Sequence, residues 1–482
     1  MEPDITILGL GPGDPGLLTR EAWQTLELAD EVYVRTRRHP TLDGLPAGLT
    51  VHSFDSLYET AEDFGGVYQA IAEEVLRLGA RPGGVVYAVP GHPLVGEATT
   101  ARILADAPPR GLSVRVVHGL SFLEPCLSLL EMDALDGLFV ADALELAALR
   151  HPNFHPDAPV LIAQLYSTSM ASDVKLCLMN QYPDDHPVTL IHQAGTSEAA
   201  LERVPLYEID RSSQIGHLTA LLVPALPAAS SLEAFQETIA HLRAPDGCPW
   251  DREQTHASLR SHLLEECYEA LAALDSSDPQ AMREEFGDLL LQIVLQSQIA
   301  LEEGEFSMAE VIAGINAKIV RRHPHVFGEV KVDGVEQVLH NWEQLKAQER
   351  EGNPGKDGGL LEGIPQAMPA LALAHAYQRR AAQVGFDWPE VSGVIAKIHE
   401  ELAEVAAAPD QANRADEIGD LLFSAVNYAR WLKVDPEIAL REASARFRRR
   451  FEWVQARALE GGRKLDEMTL EELDALWDAA RP

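Results

Sequence analysis

A pattern of acidic residues occurs twice in the second half of the chain and constrains its fold more than any other feature. Residues 264–288 read LEECYEALAALDSSDPQAMREEFGD, and residues 399–420 read HEELAEVAAAPDQANRADEIGD. Each stretch carries a Glu-Glu-x-x-Glu segment, then a turn with a proline, then a Glu-x-x-Asp segment that runs into apolar residues. Residues three apart share one face of a helix, so each copy predicts a helical hairpin with carboxylates on both helices. An internal repeat of this kind predicts a duplicated, all-helical C-terminal half.

The carboxylates of these hairpins form the predicted catalytic centre. Like charges gathered in one cleft repel unless a cation neutralises them, and a hard divalent ion such as Mg²⁺ or Mn²⁺ prefers oxygen ligands. One glutamate precedes each set of metal ligands, Glu400 in the second copy and Glu265 in the first, and is predicted to act as a general base toward water. The predicted metal ligands are Glu401, Glu404, Glu417 and Asp420 in the second copy and Glu266, Glu269, Glu285 and Asp288 in the first.

The competing interpretation is a solvated helix face. Acidic residues at helical spacing usually face water and are paired with a lysine or arginine four positions on. Here no basic residue follows Glu400, Glu401 or Glu404 by four positions, and an apolar run begins directly after Asp420. Both observations favour metal ligation.

Basic and aromatic residues after each hairpin are candidates for contact with an anionic substrate. Arginine grips phosphate oxygens with two parallel hydrogen bonds, although a run such as RFRRRF is also typical of a solvated face or a dimer rim. Asn427 lies two helical turns after Asp420, whereas the first copy has Leu295 at the corresponding position, so we predict that the second copy is the main site. The predicted substrate-binding residues are Lys397, Asn427, Arg446, Arg449, Arg450, Trp477 and Arg481, with Lys318, Arg321 and Arg322 in the first copy.

The charge balance excludes some classes of partner. The chain has 39 Lys+Arg against 75 Asp+Glu, a formal net charge of −36, and such a field repels phosphate backbones and anionic lipid. We therefore expect neither a nucleic-acid polymer nor a membrane among its partners. Four scattered cysteines without a CxxC pair indicate a reducing compartment, and the N-terminus lacks the basic segment of a signal peptide. The sequence predicts a cytoplasmic protein.

The first 225 residues follow a different pattern, in which short apolar strands alternate with glycine-rich turns and helices. The clearest units are ITILGLGPGDPGLLT, VVYAVPGHPLVGE, VRVVHGLSFLE and VTLIHQAGT. Such alternation predicts an α/β domain with ligand-binding loops at the strand ends. PALPAASS (224–231) is the predicted linker to the helical half, and EGNPGKDGGLLEG (351–363) separates the repeats. The predicted domains are 1–225, 226–350 and 351–482.

These N-terminal strings resemble the tetrapyrrole methylase family over roughly residues 3–225. The resemblance implies an α/β fold of two subdomains that binds S-adenosylmethionine between them. The family's cofactor-side turn commonly carries Gly-Asp-Pro, whereas this chain has Gly91-His92-Pro93, so a carboxylate is missing. The residues that the resemblance places near the cofactor or in the substrate cleft are Gly11, Gly13, Asp14, Gly91, His92, Val95, Ser121, Ala194, Gly195 and Thr196.

The second half, about residues 232–482, resembles the MazG family of nucleoside triphosphate pyrophosphohydrolases in the two acidic repeats and in GCPWDREQT, RRHPHVF and VGFDW. Together with the methylase-like domain, it is similar to the fused YabN-type proteins. The resemblance implies Mg²⁺-dependent hydrolysis of nucleoside triphosphates to monophosphates and pyrophosphate, and a homodimer formed through the helical half. Two alternatives stay open: an S-adenosylmethionine-dependent methyltransferase with an accessory helical half, and a non-catalytic nucleotide-binding dimerisation protein.

Overall fold

The computed structural model describes residues 3–60, 64–338, 341–342, 345 and 359–480. The chain forms two compact units, Met1–Ile315 and Asn316–Pro482. The first unit begins with an α/β region, and no strand occurs beyond Val223 among the described residues. The predicted fold class, an α/β N-terminal domain followed by a helical C-terminal half, is confirmed. The domain boundaries at residues 225 and 350 stay predictions.

Two five-stranded sheets make up the α/β region. The strands are β1 (Ile5–Gly9), β2 (Glu31–Val34), β3 (Thr50–Ser53), β4 (Val85–Val89), β5 (Val114–Val117), β6 (Phe139–Asp142), β7 (Val160–Ala163), β8 (Pro187–His192), β9 (Ala200–Pro205) and β10 (Thr219–Val223). The first sheet is parallel throughout, in the order β3-β2-β4-β1-β5. The second sheet is mixed, in the order β6-β7-β10-β8-β9.

Helices of the α/β region pack on the sheets and shield the central strands from water. Every residue of β1 is buried, as expected for the interior strand of a parallel sheet that is covered on both faces. Because β1, β4 and β5 are parallel neighbours, their carboxyl ends meet at one edge of the sheet, and the loops that follow them gather there. The helices are α1 (Arg20–Leu28), α2 (Asp55–Thr60), α3 (Phe64–Gly79), α4 (Ala98–Asp106), α5 (Leu123–Leu130), α6 (Ala143–Ala148) and α7 (Thr168–Leu178).

The acidic repeats fold as helical hairpins, as their spacing predicts. The first copy contains α8 (Leu232–Arg243), α9 (Pro249–Glu253), α10 (Arg260–Ser276), α11 (Pro279–Glu302), α12 (Met308–Arg322) and α13 (Pro324–Phe327). The second contains α14 (Ala370–Gln383), α15 (Val391–Ala407), α16 (Gln411–Trp431), α17 (Pro436–Glu460) and α18 (Leu470–Ala479). In each hairpin the two helices pack against each other, α10 on α11 and α15 on α16. Short 3₁₀ helices cover Pro15–Leu17, Pro40–Gly44, Pro108–Arg110, Ala134–Asp136, Leu206–Arg211 and Leu465–Glu467.

Side-chain caps define the helix starts in the hairpins. Asp278 and Asp410 are the N-cap residues of α11 and α16, and their carboxylates accept hydrogen bonds from backbone N–H groups in the first turn. Ser231, in the predicted linker, caps α8 in the same way. Asp157 of the α/β region accepts hydrogen bonds from the backbone N–H groups of Ser230 and Ser231, at 2.8 and 3.0 Å. The linker is therefore tied to the domain that precedes it. None of the described helices is both long and apolar enough to cross a membrane.

Candidate active site

The second hairpin brings three predicted metal ligands together. Glu401 and Glu404 lie on α15 and Glu417 lies on α16, and one carboxylate oxygen of each is within 4.8 Å of the other two. We call these three residues the second cluster. Asp420, one turn after Glu417, is exposed and lies outside this group of three. Glu400, the predicted general base, is exposed at the edge of the cluster.

Glu401 is the least accessible residue of the second cluster, with 3% of its surface exposed. It lies seven residues after Val394 on α15, and both residues face the buried side of that helix. Its Oε1 meets the ammonium group of Lys397 at 2.7 Å, while its buried Oε2 has no hydrogen-bond partner among the described residues. An unpaired buried carboxylate oxygen beside two other carboxylates is a fitting ligand for a cation.

The electrostatic interactions within the second cluster also favour the binding of a cation. The pKa of Glu404 is raised, first by burial and then by the charge of Glu401 and a hydrogen bond to it, with a further contribution from Glu417. The pKa of Lys397 is raised by its hydrogen bonds to Glu400 and Glu401. The cluster thus carries an excess of negative charge that a single lysine offsets only in part, and a divalent cation would stabilise it.

The first hairpin repeats the arrangement with a more open geometry. Carboxylate oxygens of Glu266, Glu269 and Glu285 lie within 4.8 Å of one another, and we call these residues the first cluster. Burial raises the pKa of Glu266, and the charges of Asp288 and Glu269 raise it further. Burial, Glu269 and Asp288 also raise the pKa of Glu285. Asp288 is therefore close enough to the first cluster to influence its charge.

The two clusters differ in their neighbouring cation and in burial. The offset of 135 that relates Glu265 to Glu400 also relates His262 to Lys397, so the first copy has a histidine where the second has a lysine. The His262 ring lies 6.2 Å from that of Trp250, in an edge-to-face arrangement. Glu266 is half-buried, whereas the corresponding Glu401 is buried, and Glu265 is exposed like Glu400.

Asn427 is held by a polar network at the end of α16. It is buried, and its Oδ1 accepts a hydrogen bond from Nε of Arg430 at 2.9 Å. The same guanidinium donates to Asp387 at 2.6 Å, and the indole N–H of Trp431 donates to the same carboxylate oxygen at 3.1 Å. The network ties Asn427 to the VGFDW motif, which lies before α15 in the sequence.

Two of the predicted substrate-binding arginines stack on tryptophans. The guanidinium carbon of Arg450 lies 3.9 Å from the ring centre of Trp477, and its Nη2 donates to the Trp477 carbonyl oxygen at 2.6 Å. Arg322 makes the corresponding contact with Trp342, at 6.0 Å. These distances are typical of cation–π pairs.

The remaining predicted phosphate contacts are on exposed or half-exposed helix surfaces. Arg446 is exposed and lies 3.6 Å from Glu442, one turn earlier on α17. Arg449 and Arg321 are exposed, and Lys318 is half-buried. Arg481 lies outside the described residues. The roles predicted for all these residues in substrate binding stay predictions.

A separate cavity of about 590 Å³ lies in the α/β region. Gly91, Val95 and Ala194, all predicted near the cofactor, line it together with Pro12. The predicted loops meet through their backbones: Gly91 N–H donates to the Gly11 carbonyl at 2.8 Å. The loops after β1 and β8 are likewise joined, by a hydrogen bond of 2.8 Å from Asp14 N–H to the Gly195 carbonyl.

The other predicted cofactor residues support these loops. Gly13 has a φ of +154°, and a Cβ there would lie 2.7 Å from a side-chain carbon of Thr196, so the glycine permits this close approach. Ser121 is buried and hydrogen-bonded to the Glu124 carboxylate. The His92 ring stacks on His118 with centroids 5.6 Å apart.

The cavity also contains charged and aromatic residues that sequence reasoning missed. Arg35, at the end of β2, forms an ion pair of 2.6 Å with Glu97, whose side chain is almost fully buried. Hydrogen bonds join Arg35 to the hydroxyls of Tyr58 and Tyr68, at 2.9 and 3.3 Å. These residues come from separate elements and share no local motif, although the run VYVRTRR after an apolar strand is a signal for a basic loop.

Two family models match the chain. The model described as MazG nucleotide pyrophosphohydrolase domain matches residues 254–327, and the model described as Tetrapyrrole (Corrin/Porphyrin) Methylases matches residues 4–210. Uncharacterized protein YabN of Bacillus subtilis (strain 168) is 41% identical over 494 residues, which cover 100% of this chain and 99% of the relative. Nucleoside triphosphate pyrophosphohydrolase/pyrophosphatase MazG of Thermotoga maritima is 44% identical over 250 residues, covering 51% of this chain and 95% of that protein. The chain belongs to the MazG family.

A further pyrophosphohydrolase aligns along almost its whole length with half of the chain. The nucleoside triphosphate pyrophosphohydrolase of Escherichia coli (strain K12) is 42% identical over 258 residues, which cover 52% of this chain and 97% of the relative. The MazG model lies in the first copy of the acidic repeat, and the methylase model covers the α/β region. The chain therefore combines a MazG region with an N-terminal region that matches the tetrapyrrole methylase model.

Proposed function

We propose that the helical half hydrolyses nucleoside triphosphates to monophosphates and pyrophosphate with the help of Mg²⁺. The observation that carries this proposal is the convergence of Glu401, Glu404 and Glu417, with a buried oxygen of Glu401 left without a partner. Phosphoryl chemistry requires neutralised phosphate charge and an oriented water, and a carboxylate cluster suits both needs. The relatives named as nucleoside triphosphate pyrophosphohydrolases support the same reaction class.

The chain's own residues have distinct parts in this reaction. Mg²⁺ (or Mn²⁺), when bound by the second cluster, would supply charge neutralisation at the phosphate oxygens. Glu400 is exposed beside the cluster and accepts the proton of the attacking water. Lys397 donates a hydrogen bond of 2.8 Å to Oε1 of Glu400 and so orients that carboxylate, and its ammonium group adds positive charge for the triphosphate. Asp420, one turn from Glu417, completes the acidic rim.

The second copy is proposed as the main site. It has the buried member, Glu401, and the polar residue Asn427, where the first copy has half-buried Glu266 and buried apolar Leu295. A buried ligand is screened less by water and binds a cation more strongly. The first cluster keeps its three carboxylates, so a weaker second site is part of the proposal.

We also propose that the helical half forms a homodimer. Both hairpins expose several large apolar side chains. Isolated exposed apolar residues are normal on a protein surface, but a group of them indicates an interaction site. On α10 and α11 the exposed side chains follow helical spacing, so they form a continuous face rather than isolated positions. They are Leu264, Tyr268, Leu271, Phe286, Leu290 and Ile293 in the first hairpin, and Ile395, Leu402, Ile418 and Leu422 in the second.

Product analysis with purified full-length protein tests the hydrolase. A panel of NTPs and dNTPs is incubated with Mg²⁺, and nucleotide products are separated by chromatography. We expect monophosphate and pyrophosphate in equal amounts, and a large loss of both in the double variant Glu401→Gln/Glu404→Gln, in which only the weaker first cluster stays intact. Diphosphate with orthophosphate would contradict the proposed bond cleavage, and nucleotide binding without turnover would favour the non-catalytic alternative.

Binding of S-adenosylmethionine by the α/β region is the second candidate function. The cavity of about 590 Å³ and its lining by Gly91, Val95 and Ala194 favour it. Isothermal titration of full-length protein with S-adenosylmethionine provides the test, with Ala194→Trp as the variant that fills the cavity. Heat of binding in the wild type that is lost in Ala194→Trp supports cofactor binding, and no heat in either protein contradicts it.

A further inference from the structure

A third group of metal-ligating side chains lies at the end of α11, away from both clusters in sequence. The group consists of His256, from the segment between α9 and α10, with Glu303 and Glu305. One ligand atom of each lies within 4.8 Å of the other two. Gly304, with a φ of +73°, ends the helix. The Glu305 N–H then donates to the Ala300 carbonyl at 2.9 Å, and this turn places Glu303 and Glu305 on the same side.

The histidine is oriented as a ligand. Nδ1 of His256 is hydrogen-bonded to Oε1 of Gln296, and because an amide oxygen can only accept, Nδ1 carries the proton. In the neutral ring Nε2 then has a free lone pair, and this atom is shielded from water without a hydrogen-bond partner among the described residues. It faces Oε2 of Glu303 at 3.8 Å. Two acceptors face each other there, and a cation between them would satisfy both. A second hydrogen bond that fixes the tautomer is the usual arrangement of metal-binding histidines.

The charge around the group is unbalanced. The C-terminal end of a helix carries a partial negative charge. Here α11 ends at Glu302, and Glu303 and Glu305 follow within three residues. Arg243 neutralises Glu302 with hydrogen bonds of 2.7, 3.0 and 3.1 Å. In the part of the chain that the structure describes, no lysine or arginine forms an ion pair with Glu303 or Glu305. A bound cation would offset both the carboxylates and the helix end.

We propose that His256, Glu303 and Glu305 form a site for a divalent transition-metal ion of the Zn²⁺ type. An imidazole nitrogen with two carboxylates suits Zn²⁺, whereas Mg²⁺ prefers a shell of oxygens alone. Ligand bonds of about 2.1 Å in a tetrahedral shell separate the ligand atoms by about 3.4 Å. The two glutamates therefore have to approach by about an ångström, and their exposed side chains permit this movement.

The site would join two segments of the first copy. His256 precedes α10, which carries Glu266 and Glu269, and the two glutamates follow α11, which carries Glu285. A metal ion at this position clamps the start of one hairpin helix to the end of the other. The proposal does not depend on nucleotide hydrolysis, since none of its ligands belongs to either cluster.

The test is titration of full-length protein with Zn²⁺ against a chromophoric chelator, in an excess of Mg²⁺. The Mg²⁺ occupies oxygen-only clusters and leaves a nitrogen-containing site open to Zn²⁺. We expect one tightly bound Zn²⁺ per chain in the wild type, at least about tenfold weaker binding in His256→Ala, and the same loss in Glu303→Gln/Glu305→Gln. His241→Ala, an exposed histidine on α8, is the matched control and keeps the wild-type affinity.

A second readout separates metal ligation from a structural role of the histidine. Wild type and His256→Ala are heated in the presence of EDTA and of Zn²⁺. Zn²⁺ is expected to raise the unfolding temperature of the wild type but not of the variant, whereas a difference between them in EDTA measures only the lost hydrogen bond to Gln296. Equal Zn²⁺ affinity in wild type, His256→Ala and the double glutamine variant would overturn the proposal.

Discussion

Replacing Glu401 with glutamine tests the second cluster most directly. A dication at the centre of three oxygens that are at most 4.8 Å apart lies within about 2.8 Å of each. Removal of one unit charge at that distance costs about 3 kcal/mol even with the dielectric constant of water, which is about 100-fold in Mg²⁺ affinity. Because only 3% of the surface of Glu401 is exposed, screening is weaker than in water, and we expect a loss of at least this size.

The assay is pyrophosphate release as a function of Mg²⁺ concentration, at a fixed and saturating nucleotide. The Mg²⁺ midpoint of Glu401→Gln should rise at least about 100-fold, and that of Glu266→Gln less than about tenfold, because the first cluster is the more open one. Glu452→Gln is the charge-matched control: its side chain on α17 is 63% exposed, 3.7 Å from Arg448, and its loss should change nothing. The reasoning is refuted if the Glu401→Gln midpoint stays within about threefold of wild type, or if Glu266→Gln alone abolishes activity.

Three further substitutions each remove the charge of a carboxylate that is hydrogen-bonded outside the acidic clusters. Hydrogen bonds from the two serines before α8 lower the pKa of Asp157 from 3.8 to about 2, so the wild type should exceed Asp157→Asn in unfolding temperature above about pH 4 and lose that advantage as the pH falls through 2. Glu97→Gln leaves the guanidinium of Arg35, whose side chain is 19% exposed, without its charged partner at 2.6 Å; we expect a loss of about 3 kcal/mol in the free energy of unfolding, measured by urea denaturation. Asp387→Asn weakens the ion pair with Arg430, the residue that also holds Asn427. The KM for nucleotide should then rise about three- to tenfold, with no further rise when Asn427→Ala is added.

Each of these outcomes has a result that would contradict it. A constant difference in unfolding temperature down to pH 2 would show that Asp157 does not stabilise the fold through its charge. An unchanged free energy of unfolding in Glu97→Gln would mean that water reaches Arg35. Additive effects of Asp387→Asn and Asn427→Ala on KM would separate the two residues functionally.

The spacing of acidic residues was sufficient to predict the hairpins and three of the carboxylates that converge in each of them. A separation of three positions places two side chains on one helix face whatever the rest of the chain does, so Glu401 and Glu404 could be paired before any coordinates. The contacts of Lys397 with Glu400 and Glu401 were not predicted, although Lys397 was a substrate-binding candidate. The search for ion pairs covered cations four positions after each glutamate, whereas Lys397 lies four positions before Glu401.

Contacts between distant segments could not be read in the same way. Arg35 and Glu97 are 62 positions apart, and His256 and Glu303 are 47 apart, so no local periodicity connects them. Their approach depends on how strands and helices pack, which no window of the sequence encodes. The sequence therefore indicated the loop residues that line the cavity of the α/β region, such as Gly91 and Ala194, but not its charged lining residue Arg35.

By itself the sequence determined that the second half is a duplicated helical unit, that the first half alternates strands and helices, and which acidic side chains share a face. These properties follow from local spacing and turn residues, which act over one or two helical turns. Only the tertiary structure decided that Glu401 is buried while Glu266 is half-buried, and that Asp420 lies outside the group of three. It also decided that an arginine lining the N-terminal cavity pairs with a buried glutamate. Burial and desolvation are set by packing between elements far apart in the chain, and the difference between two copies of one motif arises there.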